Sequence, residues 1–480
     1  MKQLIILNSK AKSFAYCLDY GATSNEDKVY LDLTRVERFR PISFKRRQLQ
    51  RKLIERDSSA LETFHKSPLF EVICIVRCVK AFIHFKNNPV DETILGSQER
   101  FRVLQCRISA YMGSRFFDHS EVRFRTFYKH FSVNQRVEYF IKNNLVSIVK
   151  SEDEIVLYNG REPLEATLIF FAKQSGLSVK ILERGSSNSR YQLFPTSPHF
   201  HPDWWKLITE YNEANPTESA NQATDAYIKN RLSGYDTYFE EDWSKKKLST
   251  LDGSKPDKLD QKNYVLFYTS STTEYSPVPE YNCDLGYKTQ FQVVIDLISI
   301  CHSMSLPIVI RRHPNSLGVD GVDREEGLWK QAIESTPNAH LVYYGPKVPL
   351  SSYSLIEDSR CIVVWKSSIG FETMALGKPT IATATAKWSW FPSLRAWSKN
   401  DLYKFISSPV LLNEHKEVVR EFAGFMANSG TKTTFFTEIS KWGFITTEGD
   451  KVYNFIGERI GRKIESITLK WSGKSRRRNA

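Results

Sequence analysis

Two successive series of short apolar runs, each followed by a helical or polar segment, restrict this chain to an α/β architecture. The first series is "QLIILNS" (3–9), "KVYLDL" (28–33), "EIVLYNG" (154–160) and "SVKILERG" (178–185). The second is "YVLFYTS" (264–270), "LPIVIRRH" (306–313), "HLVYYG" (340–345), "CIVVWKS" (361–367) and "PTIATAT" (379–385). Runs so rich in Val, Ile, Leu and Tyr read as buried strands. Within the first series, "REPLEATLIFFAKQSG" is apolar at helical spacing and ends on a glycine that suits a helix stop. Strand, helix and strand in that order predict a parallel pair with a right-handed crossover. Between the series, "KKKLSTLDGSKPDKLDQK" (245–262) has the composition of a linker. The chain therefore reads as two doubly wound, Rossmann-like domains. The first spans 1–245 with a helical insertion at about 40–150, a linker covers 246–263, and the second domain spans 264–405. A helical and basic tail over 406–480 completes it, and 480 residues suffice for two cores.

The net charge of +13 and a pI near 9.2 favour polyanionic partners: nucleic acid, anionic lipid or phosphorylated substrates. Nucleic acid is not expected, because the chain has no zinc-finger spacing and no RNA-recognition aromatic motif, and its bases are dispersed except at the tail. Seven cysteines without a CxxC spacing read as reduced thiols. Cys74 and Cys78 stand one helical turn apart, yet no His or acid joins them at ligand spacing, and no metal is expected. "MKQLIILNSK" is too short an apolar run for a signal peptide and reads as the first strand. "LFEVICIVRCVKAFIHF" (69–85) carries Glu71, Arg77 and Lys80 and falls short of a membrane span. A cytoplasmic protein, soluble or peripheral, is expected. Lys474, Arg476, Arg477 and Arg478 make a basic terminus, read either as a solvated end or as an anchor to an anionic membrane surface.

Open parallel sheets bind ligands at the carboxyl ends of their strands. "IVIRRHPN" brings Arg311, His313 and Pro314 to such an end, where His or Arg suits a diphosphate or a departing phosphate. An ordinary strand exit competes with that reading. "WKSSIGFETMALGKP" places Ser367 and Ser368 at a helix start, Gly370 where the backbone can approach a ligand, and Glu372 where it can accept from ribose or sugar hydroxyls. The plain alternative is an N-cap with a glutamate that complements the helix dipole. "YVLFYTSSTTEYSP" adds Ser270, Ser271 and Glu274, and "SSYSLIEDS" adds Tyr353, which can stack on a base or simply pack. In the first domain, Arg161, Glu183 and Arg184 end neighbouring strands, where a surface ion pair is the competing account. His199 and His201 have only i,i+2 spacing for a metal pair.

In order and spacing, "ERGS", "LFYTSSTTEY", "RRHPN", "SSYSLIEDS" and "WKSSIGFETMALGKP" resemble the bacterial capsule polysaccharide biosynthesis glycosyltransferases, over about residues 154–400. The resemblance implies a GT-B fold, two Rossmann-like domains facing across a cleft, with a nucleotide-sugar donor held mainly by the second. His313 matches the His-Pro element, and Ser367 and Ser368 the paired-serine element, of transferases of CMP-activated acidic sugars such as Kdo and sialic acid. No acidic motif of the sialyltransferase kind stands in the first domain, so UDP- and GDP-sugars stay open. The implied partners are that donor and an oligosaccharide or lipid-linked acceptor of a capsule, O-antigen or related glycan. No cofactor is implied and no metal need be essential. Glu183, or Glu274 after it, is the expected catalytic carboxylate, with His313 at the leaving phosphate. Two alternatives share the architecture: a teichoic-acid-type glycerophosphotransferase and a sugar-nucleotide epimerase. A basic nucleic-acid-binding protein is the reading from another class.

Overall fold

The computed structural model describes residues 2–7, 11–33, 48–52, 54, 60–63, 68–87, 122–146, 149–160, 162–196, 198, 200–217, 221–233, 235–236, 241–242, 262–270, 286–313, 316, 323, 325–336, 340–348, 350, 352–440 and 443–453. Arg161, His199, Ser271, Glu274, Pro314, most of the linker and the basic terminus lie outside the described residues. Two compact units are present. One is formed by the described residues up to 196 together with those from 430 onward, the other by those from 198 to 429.

The first unit is built on a seven-stranded sheet. Strands β1 (Lys2–Leu7), β2 (Asp27–Asp32), β3 (Ala60–Thr63), β4 (Glu154–Tyr158) and β5 (Ser178–Arg184) run parallel in the order β3-β2-β1-β4-β5. The sequence prediction of a parallel β4–β5 pair is met, with helix α4 (Pro163–Gln174) between the two strands. β1 is paired on both sides, and five of its six residues are buried, which is why "QLIIL" has no polar alternation. Two antiparallel strands, β6 (Arg190–Phe194) and β14 (Thr431–Lys432), complete the sheet beyond β5. Helix α1 (Ala11–Thr23) packs Phe14, Tyr16 and Leu18 into the core beside Ile5, Leu7 and Val156. A small sheet of β15 (Phe436–Ile439), β16 (Gly443–Thr446) and β17 (Lys451–Tyr453) shares that core, with Phe14 and Phe444 stacked at 6.0 Å. The insertion supplies helices α2 (Pro68–Asn87) and α3 (Phe124–Phe140). They bury Phe70, Cys74, Cys78 and Phe85 against Phe127 and Phe131 in a core of their own.

The second unit is a five-stranded, wholly parallel sheet. A two-stranded ribbon, β7 (Tyr235–Asp236) with β8 (Glu241–Asp242), precedes it in the chain. Strands β9 (Tyr264–Tyr268), β10 (Ile308–Arg311), β11 (Leu341–Tyr344), β12 (Ser359–Val364) and β13 (Thr380–Ala382) lie in the order β11-β10-β9-β12-β13. Every residue of β9 is buried, as expected of a central parallel strand. The helices of this unit are α5 (His201–Ala214), α6 (Gln222–Leu232), α7 (Gln290–Ser303), α8 (Glu326–Glu334), α9 (Ile369–Ala375), α10 (Lys399–Ser407) and α11 (Asn413–Asn428). Polar residues start several of them: the Asn221, Thr289 and Ser398 side chains accept from backbone N–H groups three residues on. Among the described residues no helix is long and apolar enough to cross a membrane.

The division of the chain differs from that read along the sequence. Residues 198–232 belong to the second unit, because α5 and α6 pack on α11. Among the described residues of the stretch predicted as a helical tail, helix ends at Asn428; β14 then joins the first unit's sheet and β15–β17 pack on α1. β3 interrupts the expected helical insertion.

Candidate functional site

The sheet of the second unit starts at β9, winds outward through β10 and β11, and resumes on the opposite side of β9 with β12 and β13. The order therefore reverses at β9, and the crevice beyond its carboxyl end is the place where such sheets take ligands. Register puts Tyr268 of β9 level with Arg311 of β10 and Val364 of β12. Thr269, His313 and Trp365 to Ser368 thus leave three adjacent strands at one edge.

Hydrogen bonds tie those exits together. The His313 backbone N–H donates to Thr269 Oγ1 at 2.8 Å, and Lys366 N–H donates to Ser270 Oγ at 3.0 Å. Ser270 is also gripped by Gln290 of α7, whose amide accepts from Ser270 N–H and donates to its carbonyl at 2.8 and 3.0 Å. Ser270 is buried and serves as a spacer between β9 and β12, whereas Ser368 is exposed and His313 half-buried. Ser368 makes no capping bond; Ser367 Oγ accepts from Ile369 N–H at 3.4 Å. After α9 the "LGKP" turn ends the helix as expected, with Gly377 at φ +76°.

Three expected ligand groups have other tasks. Arg311 is buried and donates to the carbonyls of Gly345, Val348 and Leu350, so its guanidinium holds the loop after β11 instead of facing an anion. Burial moves its pKa down from the usual arginine value. Gly370 does bring the backbone close to another group, but that group is the Trp388 indole: a Cβ at 370 would stand 2.0 Å from a ring carbon. Trp388 Nε1 meanwhile donates to Ser367 O at 3.0 Å, so indole and glycine together fix the serine turn. Glu372 is buried, and its two oxygens accept from Arg231 of α6 and from the Tyr353 hydroxyl. Arg231 also donates to Ser368 Oγ at 3.3 Å. Neighbouring Arg312 is fully buried, paired with Asp323 and Glu325 and seated 5.1 Å from the Trp329 ring centre.

Arg231, Trp388 and Gln290 were not legible as site residues. "YIKNRLSG" carries no motif, and Arg231 meets Glu372 across 141 positions of sequence. His201 is buried beside Lys387 and Lys366, and burial first, then those cations, depress its pKa to about 3. Its Nδ1 lies against Thr385 O, so the ring is a neutral hydrogen-bonding group of the core, and no metal-ligating cluster occurs among the described residues.

In the first unit the strand order reverses at β1 in the same way. Glu183, the penultimate residue of β5, lies beside the end of β4. Oε1 accepts from the Tyr158 hydroxyl at 2.9 Å and from Arg184 N–H at 3.0 Å, while Oε2 accepts from the Asn159 amide. Asn159 holds a left-handed φ of +65°, an uncommon conformation for a residue with a side chain and one that clusters at functional sites. Arg184 is buried behind it.

No protein-family model matches the chain, and no curated protein matches its sequence. Among solved structures it is similar to Thermosulfurimonas dismutans KpsC, a β-Kdo 2,7 transferase, at 11% identity and a TM-score of 0.33 over 67% of this chain and 86% of that one. It is similar also to S. aureus MnaA in a co-structure with UDP, at 9% identity and a TM-score of 0.27 over 89% and 92% of the two chains. A putative UDP-N-acetylglucosamine 2-epimerase from Listeria monocytogenes gives 11%, 0.26, 89% and 93%. Scores of this size leave the function to be read from the geometry of the chain itself.

Proposed function

We propose that this chain is a glycosyltransferase that moves a sugar from a nucleotide-sugar donor to a bacterial surface glycan, with the donor bound by the second unit. The observation that carries the reading is the reversal of strand order at β9, with His313 and the Ser367–Ser368 turn tied to the crevice it leaves. His313 and the serine hydroxyls would neutralise charge on the phosphate as the bond to the anomeric carbon breaks. Arg231, Glu372 and Tyr353 would hold the serine turn in place. On the first unit, Glu183 is the proposed carboxylate that takes the acceptor proton. A CMP-activated acidic sugar such as Kdo is the favoured donor, with UDP- and GDP-sugars as the alternatives.

The test is thermal stabilisation of the purified chain by CMP, CDP, UMP, UDP, GDP and dTDP. A ligand at a hundred times its Kd adds about 2.7 kcal/mol to the folded state. One nucleotide should raise the Tm by several degrees, and His313→Ala should abolish the shift without changing the melt of the free protein. No shift from any nucleotide, alongside tight binding to generic DNA, would overturn the proposal.

A further inference from the structure

Helix α2 is apolar on two opposite sides. Its inner side, with Phe70, Cys74, Cys78 and Phe85, is buried against α3. Its outer side carries Val72, Val76, Val79 and Ile83 at i, i+4, i+7 and i+11, exposed by 59%, 49%, 39% and 54%. Six of the fourteen large exposed apolar residues among those described fall on this single helix. A surface helix of a globular protein normally buries one stripe and presents charge opposite it, and contiguous exposed apolar patches mark interaction sites.

Among the described residues, the exposed charges beside the stripe are basic. Arg77, Lys80 and His84 are exposed along one flank of α2. At the other flank, Phe124 of α3 lies 5.4 Å from the Phe82 ring, with exposed Arg123 and Arg125 on either side of it in sequence. Over 68–87 and 122–146 the only acids are Glu71 and Glu138. Glu71 is held by Arg136 at 2.8 Å and Glu138 by Lys142 at 2.9 Å. An apolar stripe with Arg77 and Lys80 on one flank and Arg123 and Arg125 on the other matches the surface of an anionic bilayer, where the stripe enters the acyl boundary and the bases reach the headgroups. A second copy of the chain fits less well, because a two-fold contact would set like charges against one another.

We propose that the outer face of α2, with the start of α3, docks the chain on an anionic phospholipid membrane. This does not rest on the donor-site reading. The experiment is flotation of the full chain with vesicles of equal parts phosphatidylcholine and phosphatidylglycerol, and with phosphatidylcholine alone. The wild type should float with the anionic vesicles only. Arg77→Glu with Lys80→Glu should weaken partitioning by about fivefold per charge, and Val76→Glu with Ile83→Glu by about tenfold or more. Each variant should keep the wild-type melt. Four results would each overturn the proposal: a wild type that fails to float, a Val76→Glu/Ile83→Glu variant that floats as well as the wild type, a wild-type dimer that this variant splits, or a variant that unfolds because the face is covered by the chain itself.

Discussion

Glu372 shows how a residue type suited to sugar hydroxyls can have its oxygens engaged by the protein. Arg231 and Tyr353 take both carboxylate oxygens in a buried setting. Breaking such a pair strands a charge, so Arg231→Ala should destabilise the second unit by about 3–5 kcal/mol, read by urea unfolding. Replacing both partners with leucine should cost less than the sum of the single changes. Asp19 offers a test of opposite character. Its Oδ1 accepts from Thr434 and Phe435 N–H at 2.8 Å, yet burial, opposed by those two bonds, raises its pKa from 3.8 to about 6. The folded state therefore binds the proton more tightly than the unfolded one. The resulting stability is full below about pH 4 and is lost as pH rises through about 6. Buried His201 acts the other way, so the informative quantity is the difference between wild type and Asp19→Asn. The variant should gain roughly 3 kcal/mol relative to wild type between acid and neutral pH, from about two pKa units. At this scale the sequence revealed chemical types, not partners. Arg311 and His313 stand two positions apart in one strand exit, yet one is spent on three carbonyls and the other is half-buried at the edge.

Among elements, the serine turn depends on contacts from outside it. Gly370→Ala would drive a Cβ into Trp388, and the indole also holds Ser367 O. The expected cost is about 1–3 kcal/mol, with a matching loss of nucleotide-induced Tm shift if the turn binds the donor. Arg311→Met should loosen the segment after β11, seen as faster amide exchange over Gly345–Val348 with little change at β9. The central strands were legible because a strand covered on both faces needs apolar residues throughout. β6, with "RYQLF" half-exposed beside a two-residue neighbour, and the edge strand β14 were not, since strands at the margin of a sheet are short and mixed in character. β15–β17 were hidden for a similar reason: each is three or four residues long and stable only on α1.

Taken whole, the molecule nests one unit inside the other along the chain. The chain leaves the first unit after β6 and returns at β14, which pairs with β6, and Arg190 donates to Gly430 O at 2.7 Å. Residues 198–429 form a continuous segment, so that piece expressed alone should melt cooperatively and retain any nucleotide binding. A chain ending at 429 should instead lose the first unit's protease resistance, since β14–β17 and the bonds to Asp19 would be missing. Two α/β units were legible from the alternation of apolar runs; the nesting was not, because one backbone pairing of two residues with a strand distant in sequence leaves no periodic mark. During synthesis on the ribosome the order of events follows from this return. The second unit emerges complete while the first still lacks its closing strands, so the half of the protein made earliest is the last to be sealed.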